Sequence, residues 1–230
     1  MGEVIYLLLM KVGKREHLES LRDGYIYFSP LSRFRKDGTL FRGDSMEGKT
    51  RIDISKGFWI NGTDYSDMLE EVTYSYVGSD SILVFCAAIL DDRNMQIVSS
   101  NQISINQEFL SEMRKFGQYA VVFDLEEFSN RVTKKAKLLQ YDYGYRAVGY
   151  VDKSDHNAVT DFFNVNQQIF GSDAIYFLKD NSYSNQYEWR YLLDRVPEED
   201  KNSDGSYILK IEGLHVSDII DLDTAENVPG

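Results

Sequence analysis

The stretch Tyr183 to Asp194, YSNQYEWRYLLD, carries the pattern on which the reading of the chain turns. Written as an extended strand, its side chains point to opposite faces in turn. Gln186, Glu188, Arg190 and Leu192 then share one side, and Tyr187, Trp189, Tyr191 and Leu193 share the other. The second set is an aromatic and aliphatic wall suited to a core. The first puts an amide, a carboxylate and a guanidinium within reach of one another. Such a polar row is either a paired surface ladder or the rim of a site, and the residues alone leave both open.

Outward from this stretch, β-rich runs recur at Val4 to Val12, Tyr25 to Ser29, Ser81 to Leu90 and Tyr119 to Asp124. Others follow at Asp173 to Leu178, Ser206 to Glu212 and Val216 to Leu222. Leu139 to Asp152 places Tyr141, Tyr143 and Tyr145 at alternate positions, which line one face of a strand. Phe58-Trp59-Ile60 before Asn61-Gly62 predicts a hairpin, and Asp67 to Tyr76 a short helix followed by a strand. Apolar residues at helical spacing predict helices over Lys14 to Arg22, Asn106 to Phe116, Leu125 to Leu138 and Asp155 to Phe170. No fixed-period repeat or linker-like tract divides the chain. The expectation is one α+β domain over residues 1–230, with an antiparallel or mixed sheet and about four helices.

Hydrophobic residues make up 43% of the 230 positions, enough for a sizeable core, and 16 Tyr and 13 Phe against 3 Pro favour strands. The 37 acidic and 25 basic residues leave a net charge of -12, which repels phosphate backbones. General nucleic-acid or anionic-membrane binding is therefore disfavoured, while a local basic pocket is not excluded and an acidic surface that occupies a basic protein partner is permitted. Cys86 is the single cysteine, so no internal disulfide forms. It lies in the apolar run ILVFCAAIL and reads as a buried small hydrophobe. His17, His156 and His215 lack ligand spacing, so no metal site is expected. Val4 to Met10 is too short for a membrane span and lacks the basic start of a signal peptide, so a cytoplasmic protein is expected.

The densest basic cluster falls in Leu31 to Thr50, LSRFRKDGTLFRGDSMEGKT, read as a polar, glycine-containing loop. It is either a solvated loop held by ion pairs or an anion-binding loop beside a cleft. Phosphate-cradling, dinucleotide, zinc-protease and nucleophile-elbow motifs are all absent. What remains is a constellation: Tyr25, Tyr27 and Ser29 on one strand face, the basic loop after them, and the late Gln186, Glu188 and Arg190.

LRDGYIYFSPLSRFRKDG followed by GDSMEG resembles an uncharacterised bacterial and phage family of unknown function. That family shows G-x-[LI]-Y-F-[ST] on its second strand, then an Asp and a Glu soon after. YRAVGYVD resembles its mid-chain strand, LKDNSYSNQYEWRYLLD its K-x-x-x-Y-x-x-E-x-E-[WY]-R segment, and YILKIEGLHVSDII its closing strands. Gln186 stands where the family often has the first Glu. More loosely, the order resembles ADP-ribosyltransferases, with Tyr27 and Ser29 on a second strand and a late Q-x-E at Gln186 and Glu188. No Arg or His lies in Val4 to Val12, so Tyr6 or Lys11 would take the first-strand anchor.

This second resemblance implies a nicotinamide dinucleotide (NAD). Glu188 and Gln186 would be catalytic, with Glu188 stabilising an oxocarbenium-like centre and Gln186 orienting the acceptor. Tyr27 would stack on the nicotinamide, Ser29 and Arg190 would complete the pocket, and Arg33 or Arg42 would meet the diphosphate. Such an enzyme would modify a macromolecule in bacterial or phage conflict. The alternative is a non-catalytic acidic binding or inhibitor protein, whose Glu188–Arg190 pair is structural and whose surface engages a basic protein partner.

Overall fold

A computed structural model describes residues 7–39, 43–52, 54, 57–69, 72–99, 102–224 and 228–229. The first half of the chain gives β1 (Leu8–Gly13), α1 (Arg15–Arg22), β2 (Tyr25–Pro30), α2 (Leu31–Lys36) and β3 (Thr50–Ile52). It continues with β4 (Trp59–Ile60), β5 (Thr63–Asp64), β6 (Val72–Tyr74), β7 (Leu83–Leu90), β8 (Met95–Ser99) and β9 (Gln102–Ile105). Next come α3 (Gln107–Arg114), β10 (Tyr119–Asp124), α4 (Leu125–Leu139), β11 (Asp142–Ala147), β12 (Gly149–Val151) and α5 (His156–Phe170). The chain closes with β13 (Leu178–Asp180), β14 (Glu188–Asp194), β15 (Tyr207–Lys210), β16 (Ile220–Asp221) and β17 (Val228–Pro229).

The principal sheet is eight-stranded and antiparallel, in the order β11-β14-β7-β1-β10-β16, with β2 pairing both β7 and β15. The fold is α+β, as expected, and four of its α-helices among the described residues have eight or more residues. None of the described helices is long and apolar enough to cross a membrane.

Alternation along the central strands divides the sheet into two faces. Leu9, Phe85, Ala87, Ile89, Val121, Phe123, Trp189, Tyr191 and Leu193 point one way, and Leu18 and Leu21 of α1 with Phe128, Val132 and Ala136 of α4 cover them. The aromatic wall expected of Trp189, Tyr191 and Leu193 is thus fully buried. Tyr143 and Tyr145 of the edge strand β11 stack on Tyr191 from the same side.

Two smaller clusters share the opposite face. Met10, Ala88 and Val122 lie under α3 and the β8–β9 hairpin. Val84 and Leu192 lie under Leu31 and the buried run Ile175 to Phe177. Register places Glu188 opposite Ala88 of the first cluster and Arg190 opposite Cys86 beside the second. The polar row of β14 therefore runs as a seam between two apolar patches.

Several expectations shift. Tyr183 to Asp194 is not one strand: Asn181–Gln186 forms a 3-10 turn, and Tyr187 takes a left-handed backbone at φ 47° before β14 begins. That reversal sends Tyr187 to Phe109 of α3, on the face away from Trp189. Asp173 to Leu178 is likewise mostly a 3-10 turn, Gly171–Phe177, since an unbroken apolar run marks burial and not strand. The loop after Pro30 starts with the short helix α2, anchored by buried Leu31. Val216 to Leu222 pairs only through a bridge at Val216 and through β16. The hairpin at Phe58 to Gly62 forms, with Asn61 and Gly62 both at positive φ. Val4 to Tyr6 and Arg42 lie outside the described residues.

Strand β7 is shared along one edge. β2 pairs with Val84 and Leu83, β1 pairs with Leu90 to Ala88, and the two diverge between. Lys11 of β1 reaches into this fork, donates to the Cys86 carbonyl and lies over the Phe85 ring. A lysine within an apolar strand is explained by that carbonyl, which neither neighbouring strand satisfies.

Candidate functional site

Glu188 and Arg190 lie on adjacent same-face positions of β14, and Arg190 Nε donates to Glu188 Oε1 at 2.7 Å. Lys179, at the centre of β13, donates to Glu188 Oε2 at 2.8 Å and to Gln186 Oε1 at 2.8 Å. Arg190 spends its other nitrogens on Glu47, with Nη1 to Oε1 at 2.7 Å and Nη2 to Oε2 at 2.9 Å, and on the Tyr176 carbonyl. Glu188 is 7% exposed, Arg190 1% and Glu47 0%. Two cations and two carboxylates thus form a buried cluster of zero net charge.

The electrostatics follow from this packing. Burial works against the Glu188 carboxylate, but Arg190 and Lys179 together hold its pKa far below the usual range. Desolvation likewise opposes the charge on Arg190 and Lys179, and their carboxylate partners raise both above ordinary values. Burial, with Glu188 nearby, pushes the Cys86 thiol well up, so it stays protonated and unreactive. Tyr150 accepts the Glu188 backbone N–H at 2.8 Å, and burial together with the Glu188 charge raises its pKa.

The sequence GDSMEG closes the cluster from the other end of the chain. Tyr183 donates its hydroxyl to the Gly43 carbonyl at 2.7 Å, and its ring lies 4.8 Å from Lys179 Nζ. Asp44 caps Met46 N and meets Lys153 Nζ at 3.3 Å, and that amine also donates to the Met46 carbonyl. Every spaced polar position of K-x-x-x-Y-x-x-Q-x-E-x-R, from Lys179 to Arg190, is therefore engaged either within the segment or with residues 43–47.

Beside this clamp opens a cleft of about 360 Å³, lined by Asp44, Arg51, Asp152, Lys153, Asp180 and Tyr183, among others. It lies past the carboxyl ends of the parallel pair β12–β13. Asp152 and Asp180 cap the turns at Ser154 and Ser182 there.

The second-strand residues form a separate group. Tyr27 is exposed, accepts from Arg33 Nη1 and is within 3.5 Å of Asp204, while Arg33 Nη2 meets Asp204 at 2.9 Å. Hydrogen bonds from Ser206, aided by Arg33, hold Asp204 to a pKa of about 2. Ser29 pairs with Val84 across β7 from Leu192, and its hydroxyl is buried without a partner. The structure thus joins Tyr27 to Arg33, and Gln186 to Glu188 and Arg190, while Ser29 is placed between the two sets.

Of the groups assigned to a nicotinamide dinucleotide, Glu188, Gln186, Arg190, Tyr27 and Arg33 are engaged within the protein. Each Glu188 oxygen accepts from a buried cation, Arg190 is shared between Glu188 and Glu47, and Arg33 is paired with Asp204. Among the described residues, the carboxylate and guanidinium groups assigned to that cofactor thus already have charged partners in the protein. No group of three or more His, Cys, Asp or Glu among the described residues is set to hold a metal ion.

Sequence reasoning passed over Lys179 and Glu47 as partners. The signal for Lys179 was a lone cation ending the apolar run AIYFL, and for Glu47 an acid between closely spaced glycines. No protein family, curated protein or solved structure matches the chain.

Proposed function

We propose that this chain is a non-catalytic acidic binding protein that engages a basic protein partner, with Glu188–Arg190 as a structural pair. One observation carries the reading: both oxygens of Glu188 are bound to buried cations, which also donate to Glu47, the Tyr176 carbonyl and Gln186. A carboxylate so held already has its charge balanced by two buried cations and is poorly suited to stabilise a further developing positive charge. With the clamp assigned to architecture, the excess of 37 acidic over 25 basic residues is what the surface offers a partner.

The test is a titration against a panel of nucleic-acid-binding proteins at low and high salt. Affinity that falls steeply with salt is expected, because exposed charges are screened beyond ~8–10 Å near physiological ionic strength. Affinity indifferent to salt counts against the reading. The competing ADP-ribosyltransferase-like reading is met by incubation with labelled nicotinamide dinucleotide and cell lysate. Transfer or hydrolysis that vanishes in a folded Glu188→Gln variant would restore it; none above that control is expected.

A further inference from the structure

We infer that the lobe of residues 57–69 is the docking surface for the basic partner, an inference that rests on the binding reading above. Trp59 is 63% exposed, Ile60 47% and Met68 76%. Large apolar groups this exposed and this close in sequence mark contact surfaces more often than isolated ones do, and Trp is enriched among the anchors of interfaces.

The lobe does not depend on these side chains for its own shape. Tyr65 N donates to the Phe58 carbonyl at 2.8 Å, and Met68 N to the Tyr65 carbonyl at 3.0 Å. Phe58 N donates to Ser66 Oγ at 2.7 Å, and Asp64 caps Ser66 N at 2.9 Å. Asn61 and Gly62, at φ 50° and 84°, turn the β4–β5 hairpin. Polar and backbone bonds thus hold the lobe while Trp59, Ile60 and Met68 stay exposed.

Charge identifies the occupant. From Gly57 to Val77 the sequence holds Asp64, Asp67, Glu70 and Glu71 and no Lys, Arg or His. Asp64 sits directly across the hairpin from Trp59. An indole beside a carboxylate suits Lys and Arg, whose cations favour an aromatic face and whose aliphatic stems cover apolar surface. The partner segment is therefore rich in Lys or Arg with interspersed aliphatic residues, since an anionic one would be repelled.

The probe is a synthetic peptide of alternating lysine and leucine, with a glutamate–leucine peptide of equal length as control. Calorimetry on the full chain should show binding of the lysine peptide alone. The pair Trp59→Ser and Met68→Ser should weaken it at least tenfold without changing the thermal midpoint. On the unaltered chain, hydrogen exchange should show protection concentrated in residues 57–69, a readout that does not depend on the variants folding. Equal binding by the double variant, with protection elsewhere, overturns the lobe while leaving an acidic binding protein. No binding of the lysine peptide to the unaltered chain overturns both.

Discussion

Arg190 and Glu47 stand 143 positions apart in sequence and meet as a two-pronged buried ion pair, nitrogen to oxygen at 2.7 and 2.9 Å. The pair fastens the turn after α2 onto the central sheet. Removing one member leaves the dry cluster with one uncompensated charge, even though Arg190 keeps Glu188, and that costs up to about 3–5 kcal/mol. Glu47→Gln should lower stability in urea unfolding by that order. Replacing both members with Glu47→Leu and Arg190→Met leaves Glu188 matched to Lys179. The double loss should then fall short of the sum of the single losses by about 1–3 kcal/mol. Additive losses would show that the two side chains act independently.

Acid should loosen the same cluster. Glu188 has its pKa held far below that of an unfolded glutamate by Arg190 and Lys179, against the opposing effect of burial. A depressed carboxylate adds stability that is complete above its unfolded pKa, near 4.3, and is lost as pH falls toward the folded one. For this one group the slope approaches ~1.4 kcal/mol per pH unit below about pH 4. Denaturant midpoints measured from pH 6 down to pH 2.5 should stay level and then drop. Glu188→Gln should be less stable at pH 6 and show a shallower acid limb; an unchanged limb would place the acid sensitivity elsewhere.

The sequence made the sheet face of β14 readable because Trp189, Tyr191 and Leu193 alternate with polar residues, and burial follows that alternation. It could not show that Tyr187 turns away, because the left-handed backbone there is set by the 3-10 turn before it and by Phe109. The polar row was legible as a charged pair but not as a closed cluster. Its partners Glu47 and Lys179 arrive from other segments, and long-range pairing leaves no periodic trace. Arg33 could be singled out but not its partner, since Asp204 lies 171 residues away.

Cys86 offers a probe of how tightly the seam is sealed. Burial and the nearby Glu188 charge raise its thiol pKa, so little reactive thiolate exists at pH 8. Iodoacetamide should label the folded chain far more slowly than the unfolded one. Glu47→Gln should speed labelling, because loosening the seam further exposes a thiol that is only partly buried in the folded chain. Rapid labelling of the native protein would mean that the thiol meets solvent directly.

Two turns predict stability changes of opposite sign. Gln140 ends α4 with φ 62°, donating its N–H to the Ala136 and Lys137 carbonyls, and its side chain is exposed. A left-handed backbone costs a side-chain-bearing residue ~1–2 kcal/mol that glycine does not incur. Gln140→Gly should therefore gain about 1 kcal/mol, with a thermal midpoint higher by roughly 2–4 °C for a chain of this size. Gly24, where α1 gives way to β2, has φ +84°, and a Cβ there would collide with the Ile211 carbonyl oxygen. That carbonyl belongs to backbone fixed by the Ile211 N–H bond to Gly24 O, so it does not yield easily. Gly24→Ala should lose at least ~1–2 kcal/mol from the backbone strain alone, and a neutral result would mean that the strands β2 and β15 part freely at that end.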